Sequence, residues 1–171
     1  LPPPAIPAPP PGSVPTLVYR VHHPSARTSY SFSSGFKAKN HTTILSTTSQ
    51  LSRFGLAHIH FATNISSPFI SAYDNKDHAE RVARWMASKW GEETLIVEID
   101  TQYLARGPVL RAADLLREEE KGLQEIHSAW LHEGEYLFMY SIPIQAVRGH
   151  TVVSRGEVRR GSGGVGVIGS R

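Results

Sequence analysis

Residues 68–91, PFISAYDNKDHAERVARWMASKWG, change hydrophobic period in mid-course. The first six, Pro68 to Tyr73, are short, apolar and β-prone, which predicts a strand ended by Asp74 and Asn75. From there Ala79, Val82, Ala83, Met86 and Trp90 recur every three or four positions, the spacing of one helical face. Asp74, Asn75 or Asp77 supplies a cap, and Gly91 a stop. A strand feeding directly into an amphipathic helix sets the theme for the rest of the chain.

Upstream, Thr16 to Val21 (TLVYRV) predicts another short strand, followed by a polar turn region with a tight turn at Ser33-Ser34-Gly35-Phe36. Downstream, Thr94 to Asp100 (TLIVEID) predicts a largely buried strand and Ala112 to Glu120 a helix. Glu135 to Ile142 (EYLFMYSI) predicts a further strand closed by Pro143. Strands dominate the later half while helices interrupt the first, so the pattern favours α+β over a doubly wound α/β sheet. No internal repeat is visible.

The two ends differ from this body. Eight of the 12 prolines fall in residues 1–15, where they fix φ and remove donors; this predicts a flexible, extended Pro-rich arm serving as a linker. Residues 154–171 are Gly-rich and basic, with little to bury, and read as a flexible tail. Within them Gly161-x-Gly163-x-x-Gly166 matches the dinucleotide fingerprint only in form. The pattern needs a strand before it and a helix after it, and only five residues follow. The expected folded domain is therefore 16–153. At 171 residues and 40% apolar content the chain supports one core. No run approaches a bilayer-spanning length, and the reading is of a soluble chain. Leu1 is read as the start of a mature or trimmed product; secreted, effector-like and cytoplasmic settings all stay open.

Of 18 Lys/Arg and 15 Asp/Glu, five and one lie in residues 148–171, which leaves 13 against 14 in the rest of the chain. The body is near neutral, so no basic stripe for nucleic acid is expected. The basic tail suggests salt-sensitive attraction to an acidic partner or membrane surface. With no cysteine there is no disulfide, thiolate nucleophile or thiolate metal site. No GxSxG elbow or GxxxxGK[ST] loop occurs, which sets aside serine hydrolases of that type and P-loop enzymes.

His58-x-His60, placed on a strand, would point two imidazoles the same way and invites a zinc test, but no third ligand stands nearby and packing is the simpler reading. His22-His23 would face opposite sides of a strand. Glu118-Glu119-Glu120-Lys121 is the solvated end of a helix. Glu133-Gly134-Glu135 carries more information: Glu135 projects from a rigid strand while Glu133 stands on the loop before it. One such carboxylate can stabilise a developing cation while the other takes a proton from an attacking group. Arg20 and Ser71, each within β-prone runs, are ordinary residues taken singly.

Taken in chain order, Tyr19-Arg20, Phe69-Ile70-Ser71 before a helix, and Glu133-x-Glu135 opening a late strand resemble the Arg, Ser, Glu signature of ADP-ribosyltransferases. The likeness is greatest to the cholera-toxin and heat-labile-enterotoxin A-chain type. Leu17 to Val21 followed by Ser34-Gly35-Phe36-Lys37-Ala38 is similar to that family's opening strand and turn. Pro68 to Tyr73 is similar to its Ser-Thr-Ser strand, Thr94 to Asp100 to the strand before its variable helical stretch, and Glu133 to Leu137 with Ile142-Pro143 to its Glu-x-Glu strand. The chain also resembles a group of fungal domains of undetermined function. The resemblance spans about residues 16–153. It departs at Ser71-Ala72-Tyr73, which keeps only the first serine, and at His22, where an acid is frequent.

The resemblance implies two small antiparallel sheets forming a cleft for NAD, with flanking helices. It implies an NAD-dependent mono-ADP-ribosyltransferase that modifies an arginine side chain of an acceptor protein and releases nicotinamide. The alternatives are an NAD glycohydrolase and a catalytically inactive binding or effector module. Glu135, Glu133 and Ser71 would be the catalytic set: Glu135 stabilises the ribosyl cation, Ser71 holds Glu135, and Glu133 serves the arginine acceptor. Arg20 would clamp NAD, with His22 and Tyr73, and also Tyr30, adding contacts. NAD is a co-substrate in this scheme, and neither route requires a metal.

Overall fold

The computed structural model describes residues 13–60, 65–120, 129–154 and 157–160. In chain order its elements are β1 (Leu17–His22), β2 (Ser29–Ser31), β3 (Gly35–Lys37), α1 (Thr48–Ile59), β4 (Phe69–Tyr73), α2 (Lys76–Trp90), β5 (Thr94–Asp100), β6 (Leu110–Arg111), α3 (Ala112–Glu120), β7 (Glu135–Met139), β8 (Ser141–Ile142), β9 (Val147–Ser154) and β10 (Glu157–Arg160). A seven-stranded sheet runs β10-β9-β5-β1-β4-β7-β6, and a three-stranded sheet runs β2-β3-β8. Every strand pair in both is antiparallel.

The central helix α2 forms where the apolar period changes. Asn75 is its cap, its side chain accepting the His78 N–H at 3.0 Å, and Gly91 at φ 66 ends it. Its buried stripe of Ala79, Val82 and Ala83 packs on Val21, Ile96 and Val153. The opposite face of the same strands buries Val18, Val97 and Ile99 against Phe36 and Ile142 of the small sheet. A third cluster seats Leu51 and Ile59 of α1 and Leu115 and Leu116 of α3 on Phe69 and Leu137. Each fully buried aliphatic side chain contributes roughly 1.5–3 kcal/mol, so three clusters on two sheets suffice to fix the layers.

The large sheet is nearly two sheets. Strand β1 is in register with β5 from Leu17 to His22, and β4 with β7 from Phe69 to Tyr73, yet β1 and β4 meet at a single position, Tyr19 opposite Tyr73. Beyond it the two halves, β10-β9-β5-β1 and β4-β7-β6, splay apart. Where the resemblance implies two small sheets, the structure has one seven-stranded sheet, held together at its middle by this single β1–β4 position, and a three-stranded sheet packed on one of its faces.

Three further features differ from the sequence reading. Residues 48–59 are helical, so His58 sits in the last turn of α1 and His60 caps it rather than both lying on a strand. The Thr47-x-x-Gln50 capping box explains the start: Thr47 accepts the Gln50 N–H, and the Gln50 side chain accepts the Thr47 N–H. The stretch 135–142 is two strands in two sheets. Tyr140, at φ 66, breaks the run and sends β8 to pair with β3. Its backbone bonds to Pro68 and Ala38, and its hydroxyl to the Thr43 carbonyl, which hold this left-handed residue in place. Finally, β10 adds residues 157–160 to the sheet edge, inside the stretch expected as tail. The Pro-rich residues 1–12 and the Gly-rich 161–171, with the Gly161 motif, lie outside the described residues, as does Lys121. Among the described residues no helix is long and apolar enough to cross a membrane.

Candidate functional site

The fork between β1 and β4 opens into a cavity of about 370 Å³, within the range of small-molecule sites. Arg20, Ser71, Tyr73 and Glu135 all line it, although they come from three strands separated by up to 115 residues of chain. Pairing register explains the convergence on the β4 side. Tyr73 lies opposite Glu135 and Ser71 opposite Leu137, so Tyr73, Ser71 and Glu135 share one face of the β4–β7 ladder. Arg20 stands one residue past Tyr19, the position at which β1 pairs with β4, while it stays paired to Val97 of β5. Its guanidinium reaches across the fork, Nη1 donating to the Ser71 carbonyl at 3.0 Å.

All four side chains are buried. Burial pulls the Arg20 guanidinium down to about 10 against the pull of Tyr73 and Glu135, which leaves it fully charged at neutral pH. Its Nε is buried without a hydrogen-bond partner. Buried donors are nearly always satisfied, so a charged guanidinium with a vacant donor inside a cavity suits an anionic or oxygen-rich ligand. Arg27 and Lys39 line the same cavity and add positive charge, while Glu135 is its acidic member. Burial raises the Tyr73 phenol well above its ordinary range, and Glu135 raises it further, so Tyr73 stays neutral and can act as a hydrogen-bond donor.

Burial alone would push the Glu135 carboxyl up, but the hydrogen bond of His132, helped by that of the Ser71 hydroxyl, holds it below the usual carboxylate range. His132 Nδ1 lies 2.5 Å from Glu135 Oε2. It sits at the end of a single 3₁₀ turn, Ala129–His132, and is itself buried.

A second imidazole orders Ser71. His58 Nε2 is 2.7 Å from Ser71 Oγ, and its Nδ1 is 2.6 Å from Ser67 Oγ. Burial holds this ring at about 4, so it is neutral. Ser67 Oγ accepts the Phe69 N–H at 3.0 Å. Because a carboxylate only accepts, one arrangement satisfies every group: Ser67 donates to His58 Nδ1, His58 Nε2–H donates to Ser71, and the Ser71 proton is left for Glu135. His58 and His132 are thus residues that order this site and that sequence reasoning does not assign to it, and the same holds for Arg27 and Lys39 in its lining. The capping box at Thr47 was the available signal for His58, since it makes residue 58 helical and inward-facing. For His132 the signal was its place three residues before Glu135.

Three residues named from the sequence lie elsewhere. His22 points to the small sheet, edge-on to Tyr30 and Phe36, and is not among the residues lining the cavity; burial and the Arg20 charge hold it at about 4. Tyr30 likewise stacks on Phe36. Glu133 is exposed on the turn before β7, outside the cavity lining. His23 and Trp90 also line the cavity, their rings stacked with centroids 4.8 Å apart. Among the described residues no group of three His, Asp or Glu is placed to hold a metal ion.

The fold is similar to the solved structure of EcPltA, an ADP-ribosyltransferase-like toxin subunit, with a TM-score of 0.53 over 88% of this chain and 85% of that one. Identity is 16%, so the likeness is one of fold, and the two antiparallel sheets with few helices agree with an ADP-ribosyltransferase-like architecture. No curated protein matches the chain. A family model described as "Domain of unknown function (DUF7587)" matches residues 13–156, which is most of the chain and all of the cavity's lining. The chain belongs to the DUF7587 family.

Proposed function

We propose that this protein cleaves the bond between nicotinamide and ribose in NAD and transfers the ADP-ribosyl group to an arginine side chain of an acceptor protein. The observation that supports it most is the meeting of Arg20, Ser71 and Glu135 in one buried cavity at the fork of the sheet. Arg20 would grip phosphate or ribose oxygens through its unpartnered Nε, with Arg27 and Lys39 adding positive charge. Glu135, kept ionised by His132 and Ser71, would accept the hydrogen bond of the nicotinamide-ribose 2′-OH and stabilise the oxocarbenium-like charge as nicotinamide leaves. Such a preorganised carboxylate acts without reorganisation because its partners already hold it. Exposed Glu133 stands where an acceptor protein would approach and would take a proton from the guanidinium as it attacks.

The test is incubation with NAD labelled on its adenylate half and a protein rich in exposed arginine. The expected result is an ADP-ribosyl mass increment on arginine together with free nicotinamide. Calorimetric NAD binding with no turnover would make the chain a binding module, and no binding at all would remove NAD from the account.

A further inference from the structure

We propose that His132 is the general base that delivers water to the ribosyl cation, giving the chain an NAD glycohydrolase activity that does not depend on Glu133; this deepens the reading above and rests on it. His132 is only 6% exposed and lines the cavity, with Nδ1 2.5 Å from Glu135 Oε2. An ionised carboxylate can only accept, so Nδ1–H donates to Glu135, and in the proposed step Nε2, across the ring from it, is the nitrogen that accepts. A carboxylate that fixes the tautomer while the far nitrogen takes a proton is the division of labour by which imidazoles activate oxygen nucleophiles.

Other titratable groups lining the cavity are engaged elsewhere, His23 among them, with Nδ1 3.3 Å from Glu92 Oε2 and its ring stacked on Trp90. Both nitrogens of His58 are engaged, by Ser67 and Ser71. Tyr73 is held neutral and Arg20 is a cation with no acceptor. Glu135 is occupied by His132 on one oxygen and is required to face the cation. Glu133 lies outside the cavity, suited to a bulky acceptor and not to a water within. In the step itself, the C1′–N bond breaks and its electron pair stays on the nicotinamide nitrogen, so neutral nicotinamide leaves. Water oxygen forms the new C1′–O bond while its proton passes to His132 Nε2, which then returns it to solvent. NAD and water become ADP-ribose, nicotinamide and one proton.

The decisive variant is His132→Asn, which keeps an N–H near the Nδ1 position to hold Glu135 and removes the base. Nicotinamide release is measured in water and with saturating azide, a nucleophile with no proton to lose. Hydrolysis should fall roughly 10²–10⁴-fold while azide capture stays near the wild-type rate. His132→Ala should recover hydrolysis when imidazole is added. Unchanged hydrolysis in His132→Asn overturns the assignment. So does a parallel fall of both reactions, which would leave His132 as a positioning residue only. A wild-type protein that modifies arginine but consumes NAD with neither nucleophile overturns the inference alone, and one that consumes NAD with none of the three acceptors overturns the function on which it rests.

Discussion

Replacing Arg20 with Met separates a side chain kept for folding from one kept for a ligand. The folded structure lowers the guanidinium from 12.5 to about 10, chiefly by burial. At 1.36 kcal/mol per unit, that is about 3 kcal/mol held against the charged form. Against this stands the bond from Nη1 to the Ser71 carbonyl, whose loss leaves a buried acceptor unpaired at a cost of about 1–3 kcal/mol. Arg20→Met should therefore be as stable as wild type or up to about 2 kcal/mol more stable, a rise in Tm of at most about 8 °C for a domain of this size. Affinity for NAD should fall roughly 10–150-fold as a charge-assisted contact is lost. Urea titration gives the first quantity and calorimetry the second. Destabilisation beyond about 2 kcal/mol at unchanged m-value would show that Arg20 is a structural pillar of the fork, and the argument from its vacant Nε would fail.

Gly35→Ala should cost more than about 2 kcal/mol, because a Cβ at φ +79 would stand 2.1 Å from the Ile142 carbonyl oxygen where β3 meets β8. Gly91→Ala, at φ +66 with open space around it, should cost about 1–2 kcal/mol from strain alone, and equal losses in the two variants by thermal melting would refute the steric part. In acid, His22 and His58 are both held at about 4 against an ordinary 6.5, so between those values the unfolded chain binds protons that the folded chain does not. Stability from these groups is complete above about pH 6.5 and drains away as pH falls toward 4, with about two protons taken up on unfolding near the middle of that window. His58→Gln should reduce the uptake by one; a denaturation midpoint flat from neutrality to about pH 4.5 would contradict both assignments.

What the sequence showed depended on how local the determining physics was. Helix α2, with its cap, stripe and stop, and strand β5 are readable because each is set by neighbours in the chain. Helix α1 was harder to see. Its capping box lies in a run of Ser and Thr that resembles a loop, and its buried face is only Leu51, Gly55 and Ile59. The break at Tyr140 has no local signal, since a tyrosine at positive φ is imposed by its bonds to Pro68, Ala38 and Thr43. Within the site, Arg20, Ser71, Tyr73 and Glu135 were named from strand context and resemblance, and the register of β4 with β7 together with the fork at Tyr19 brings them to one cavity. His58 reads from sequence only as a zinc ligand or packing residue and His132 carries no signal of its own, because the importance of both lies in tertiary hydrogen bonds. Conversely, His22 shares the face of β1 that carries Arg20, but its ring ends edge-on to Tyr30 and Phe36 of the small sheet and not in the cavity.

The account stands most directly on the rate at which purified protein, given a protein rich in exposed arginine, releases nicotinamide from NAD, measured side by side for wild type and Glu135→Gln of matched thermal stability. Consumption by wild type and a rate on the order of 10²–10³-fold lower in the variant are the predicted result. Equal rates, whether both measurable or both zero, would contradict it.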